Sequence, residues 1–101
     1  MTNYIHTTEV RQVFDFIKLK YRLSLDDLQA KDKHLCIAEA RQLTCYLLHN
    51  YARLTYVQIS KILSRGRSPV HYNVSTMISR LTYDKRLKGF MNDFSKFIDV
   101  K

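Results

Sequence analysis

The chain has 101 residues, 46% hydrophobic and 12% aromatic, which suits one domain over residues 1–101 with a core of its own and leaves no material for a second. Seventeen Lys and Arg against nine Asp and Glu give a formal net charge of +8, so the first partner to consider is a polyanion: nucleic acid before an anionic membrane surface. No run of about 18 apolar residues is present to span a bilayer, and the N-terminal MTNYIHTTEV lacks the basic-then-apolar layout of a secretion signal, so a cytoplasmic location is expected.

Two glycines and one proline suit an all-α chain, because sheets and their turns use both freely. Thr7 or Thr8 caps a first helix, Glu9 to Tyr21, with Val10, Val13, Phe14, Ile17 and Tyr21 on one face. Its acidic start and its Lys18, Lys20 and Arg22 end complement the helix dipole. Ser24 caps a short second helix with Leu25 and Leu28 facing inward. A polar connector, Ala30 to His34, precedes a long helix from Cys36 to Tyr51. Its inner stripe is Ile37, Ala40, Leu43, Thr44, Leu47 and Tyr51, with Cys36 beside it.

Thr55 with Gln58 three residues on is a capping-box signature. It starts a helix from Tyr56 to Leu63, with Ile59, Ile62, Leu63 and either Tyr56 or Val57 inside. Ser64-Arg65-Gly66-Arg67 forms a turn in which Gly66 can take a positive φ at little cost. Ser68 caps the next helix and Pro69 occupies its first position. Val70, Val74, Met77, Ile78 and Leu81 form its inner stripe, and His71, Tyr72, Asn73 and Ser75 face away. A last helix runs from Thr82 or Asp84 to Ile98, with Leu87, Phe90, Met91, Phe94, Phe97 and Ile98 on its apolar face. The expected fold is a compact all-α bundle of about six helices. The segment 55–81 reads as a helix-turn-helix, an element that a DNA groove accommodates.

No catalytic constellation stands out. The nucleophile elbow, the phosphate-binding glycine loop and a paired acidic metal motif are all missing, so the chain reads as a non-enzyme without a cofactor or small-molecule substrate. His34, Cys36, Cys45 and His49 fit the close-spaced knuckles of structural zinc poorly, and the cysteines read as free thiols in the core. The basic residues fall into groups: Lys31, Lys33 and His34 on the connector, Arg41 on the long helix, Arg65 and Arg67 on the turn, and Arg80, Lys85, Arg86 and Lys88 beyond it. Between Arg53 and Arg80 there is no Asp or Glu in 28 residues. Charge and motif agree on double-stranded DNA. Arg65 and Arg67 are placed to hold phosphates, and Ser68, His71, Tyr72 and Asn73 to read base edges.

The stretches YRLSLDDLQAK and ARQLTCYLLHNYARLTYVQISKIL, with the helices around them, resemble the C-terminal DNA-binding domain of DnaA, the bacterial replication initiator. The likeness covers about Thr8 to Ile98. It implies a Trp-repressor-like helical fold that binds a short asymmetric duplex site as a single domain. It also implies phosphate contacts from Arg41, Gln42, Thr55 and Tyr56, and a minor-groove contact from Lys33. One stretch departs from the family. Where its signature reads G-R-D-H-(T/S)-T-V-x-H-A, this chain has R-G-R-S-P-V-H-Y-N-V, and in either register the base-reading Asp and His are absent. The resemblance thus implies the fold and duplex binding in replication or transcription control, but a different target. The nucleotide-binding region that precedes this domain in the initiator is also missing, so no ATPase activity is expected and the chain reads as a stand-alone module. The alternative is a protein-interaction adaptor that kept the fold, lost base reading and binds a replication or regulatory protein through a face containing Tyr72 or Tyr83. Membrane binding ranks last, because no helix is both basic on one face and free of core duty.

Overall fold

The computed structural model describes residues 8–29, 35–64 and 66–99, and within these every side chain except those of Leu35, Cys36, Arg67 and Ser68. The described residues form six helices and no strand: α1 (Thr8–Tyr21), α2 (Leu25–Gln29), α3 (Leu35–Asn50), α4 (Tyr56–Leu63), α5 (Arg67–Leu81) and α6 (Lys85–Asp99). The connector Ala30 to His34 lies outside the described residues.

α3 sits at the centre, against α1, α2, α4 and α5. Its sequence explains why: Ala40, Leu43, Thr44, Cys45, Leu47 and Leu48 are all buried. Six closed positions in nine residues wrap most of the helix surface, so α3 has neighbours on several sides rather than one buried stripe. Its single buried hydroxyl, on Thr44, donates to the Ala40 carbonyl at 2.6 Å. The helix begins at Leu35 and ends at Asn50, one residue earlier at each end than the sequence suggested.

α1 buries Val10, Gln12, Val13, Phe16 and Ile17. Phe16, outside the stripe expected from the sequence, is the pivot of an aromatic cluster: its ring meets Phe94 at 5.1 Å and Phe97 at 5.6 Å. Tyr51 meets Phe94 edge-on at 5.0 Å and donates its hydroxyl to Gln12 Oε1 at 2.6 Å. These contacts join α6 to α1 and to the end of α3. α2 and α6 each carry a cap at their start. Ser24 and Asp27 bond reciprocally across the first turn of α2. Asp84 Oδ1 accepts from the amides of Arg86 and Leu87 at the start of α6.

Candidate nucleic-acid interface

α4 begins where the capping box places it. Thr55 Oγ1 accepts from the Gln58 amide at 3.2 Å, and Gln58 Oε1 accepts from the Thr55 amide at 2.9 Å. Two of the four orphan amides of the first turn are thereby satisfied. Those of Tyr56 and Val57 have no carbonyl one turn back to bond. α4 closes at Ser64, in the left-handed region at φ 54, with its amide bonded to the Ser60 carbonyl.

The positive φ therefore belongs to Ser64, not to Gly66 as the sequence suggested. The left-handed residue must follow directly on the last helical one. Gly66 comes two residues later and is already extended, at φ −73 and ψ 167, as the N-cap of α5. A Cβ there would meet only Pro69 Cδ at 3.5 Å, an ordinary contact. The start of α5 is corrected as well. Arg67 is its first residue and Pro69 its third, with the Val70 amide donating to the Gly66 carbonyl at 3.3 Å. Proline is tolerated there because its missing N–H is one of the four that have no intrahelical acceptor. Gly66, having no side chain, offers no cap to the first turn of α5.

α5 is two-faced. Val70, Val74 and Met77 are buried, while His71, Tyr72, Ser75, Ile78 and Ser79 are exposed. Ile78 is 51% exposed, which overturns its placement in the inner stripe. The helix turns 100° per residue, so Val70, Val74, Met77 and Leu81 cluster on the side facing the core and Ile78 rotates out past Val74. Asn73 is half-buried, and its amide nitrogen points at the buried Cys45 Sγ at 3.8 Å. Burial pushes the Cys45 thiol up to about 12, against smaller opposing effects of Asn73 and Arg41.

Tyr56 ties the motif to the core. Its ring stacks on His49 at 4.5 Å and receives His71 edge-on at 5.2 Å, so one aromatic column links α3, α4 and α5. His49 Nδ1 lies 3.0 Å from the Leu54 carbonyl, which only an N–H can satisfy. Tyr56 packs against the core and Val57 is exposed, which decides between the two inward candidates.

The remaining candidates divide. Thr55 is exposed beside Tyr56. Lys31, Lys33, His34 and Arg65 lie outside the described residues, as do the side chains of Arg67 and Ser68. Arg41 Nε donates to the Leu28 carbonyl at 2.7 Å, and Gln42 Oε1 accepts from Arg80 at 3.2 Å, so both already hold helices together.

Arg80 and Arg86, counted with the DNA-facing cations on sequence grounds, converge on Glu39. The Glu39 carboxylate accepts from Arg80 Nη2 at 2.8 Å, from Arg86 Nη1 at 2.8 Å and from the Tyr21 hydroxyl at 2.6 Å. Arg80 also reaches Asp84 at 3.3 Å. Two cations meet two carboxylates, so this end of α5 adds little to the positive surface. The Arg86 guanidinium, opposed by burial and helped by Tyr21 and Arg80, holds the Glu39 carboxyl down at about 2. Burial and then the Glu39 bond raise the Tyr21 phenol well above its ordinary range. A lone acid beside the buried Ala40 was the one sign of this cluster in the sequence.

A sequence model of the bacterial dnaA protein helix-turn-helix matches residues 10–77. Among curated proteins, the chromosomal replication initiator protein DnaA of Flavobacterium psychrophilum is 30% identical over 81 residues. That match covers 79% of this chain and 17% of the relative, so the chain spans about a sixth of the initiator's length. No solved structure matches.

Proposed function

Because the chain belongs to the bacterial DnaA helix-turn-helix family, we propose that it binds double-stranded DNA with a sequence preference, through α4, the turn and α5, in the control of replication or transcription. One observation carries this reading: α5 buries one face on the core and leaves the other open, inside a 28-residue stretch without an acid. A duplex repels acids and accepts such a helix in its major groove. The amides that open α4 and α5 are suited to phosphate oxygens, and Arg65, Arg67 and Thr55 flank them. Exposed Arg53 and Lys61 add cations on the same segment. The connector residues Lys31, Lys33 and His34 are proposed to reach the backbone or the minor groove. Arg41 and Gln42 contribute mainly by positioning α2 and α5.

His71 and Tyr72 stand outward and are the leading base readers, with Ser68 at the helix start. Asn73 reaches a base only by leaving Cys45. No catalytic or nucleotide-binding role is assigned to these residues. In a salt titration, about six phosphate contacts make affinity for duplex fall roughly a thousand-fold between about 50 and 200 mM salt. A flat response refutes the reading.

A second reading is favoured by the exposure of Tyr72 (65%) and Tyr83 (68%): an adaptor that docks a replication or regulatory protein on this side. Selection from a random duplex pool separates the two, since an adaptor enriches no sequence.

A further inference from the structure

The exposed stripe of α5 has a chemistry of its own. His71, Tyr72, Ser75, Ile78 and Ser79 lie within one outward arc centred on Ser75, because residues three, four and seven apart share a helix face. From Pro69 to Ser79 the sequence holds no Lys, Arg, Asp or Glu, and Arg80 is turned to Glu39 and Asp84. The described stripe therefore lacks the guanidinium or ammonium that pairs with the two acceptors of guanine. What it offers instead is an aliphatic side chain, Ile78, half exposed to water.

In the major groove, thymine is the base that presents a methyl group, and apolar side chains are what meet it. We infer that Ile78 reads the C5 methyl of a thymine. The inference rests on the docking of α5 proposed above. Its occupant is duplex DNA rather than a protein because the surrounding segment, Arg53 to Arg80, is basic and free of acids. Ile78 lies about 10 Å along the helix axis from His71, a span of about three base-pair steps at 3.4 Å each. Both side chains reach the groove when α5 lies along it.

The test uses the full chain and a duplex enriched from a random pool. Each thymine is replaced in turn by deoxyuridine, which removes the methyl and leaves every hydrogen-bonding group. One replacement is expected to weaken wild-type binding about fourfold, the effect of one buried methyl, and to leave Ile78→Ala binding unchanged. Ile78 is half exposed, so the variant folds, and its unfolding midpoint is checked against wild type. The inference is overturned if no replacement weakens wild-type binding, or if Ile78→Ala keeps the full sensitivity. It is also overturned if duplex binds but no sequence is enriched. In the first two cases sequence-preferring, salt-dependent duplex binding persists and the broader reading stands; in the third only duplex binding stands, without its sequence preference. A protein that binds no duplex overturns both.

Discussion

Replacing Glu39 by Gln tests the cluster that holds the far end of α5. The wild-type carboxylate accepts from Arg80, Arg86 and Tyr21 at once, and it is held at about 2 instead of 4.5. A displacement of that size corresponds to about 3 kcal/mol, at about 1.4 kcal/mol per unit. The Arg86 side chain is 53% exposed, so solvent screens part of this, and about 2 kcal/mol is the expected loss. Such a loss lowers the melting temperature of a domain this size by about 10 °C. The pH dependence has a definite sign. A carboxyl whose folded pKa lies below its unfolded one stabilises the fold above the unfolded value near 4.5, and loses that contribution as pH falls toward 2. Thermal melts followed by circular dichroism should therefore show a wild-type advantage that is full at neutral pH and gone near pH 2. Duplex affinity at neutral pH and a temperature where both proteins are folded should be unchanged, because the cluster lies off the exposed stripe of α5. An unchanged melting temperature at pH 7, or a difference that does not vary with pH, refutes the assignment.

Thr55→Ala removes half of the capping box and should cost about 1 kcal/mol, read from the urea midpoint; no shift would mean the cap does not hold α4. Met77→Ala and Ile78→Ala form a pair. The first opens a cavity in the core and should cost about 2–5 kcal/mol in the same assay, whereas the second should stay within about 0.5 kcal/mol. Equal losses would contradict the orientation of α5. Cys45, buried and with its thiol raised to about 12, should resist thiol reagents at pH 8 in a Cys36→Ser background and react once urea unfolds the chain. Arg67→Ala should weaken binding to all duplexes about equally and reduce the salt slope by about one unit; a loss confined to one sequence would make Arg67 a base reader.

Local signals in the sequence were legible where the physics is local. The Thr55 and Gln58 spacing fixed the start of α4 to the residue, because both partners of the box lie in one turn. The acid-free run from Arg53 to Arg80 was likewise visible as written. Signals that depend on neighbours were not. Ile78 fits an inner stripe by spacing, and only the packing of α5 decides how wide that stripe is. Gly66 has the freedom for a positive φ, yet the geometry of helix ending gives that role to Ser64. The Glu39 cluster joins residues 41 and 47 positions apart, and no short-range pattern encodes such a pairing. Asn73 looked outward by spacing, until Cys45 appeared beneath it.

On the proposed reading, the open side of the helix-turn-helix is the surface that meets DNA. The most direct measurement is an NMR titration of the 12.0 kDa chain with duplex, following backbone amides. Shifts should concentrate at Tyr56 and Val57, at Gly66 to Ser68, and along His71, Tyr72, Ser75, Ile78 and Ser79, with α1 and the C-terminal half of α6 quiet. Shifts centred on α1 or α6, with α5 unmoved, would contradict it.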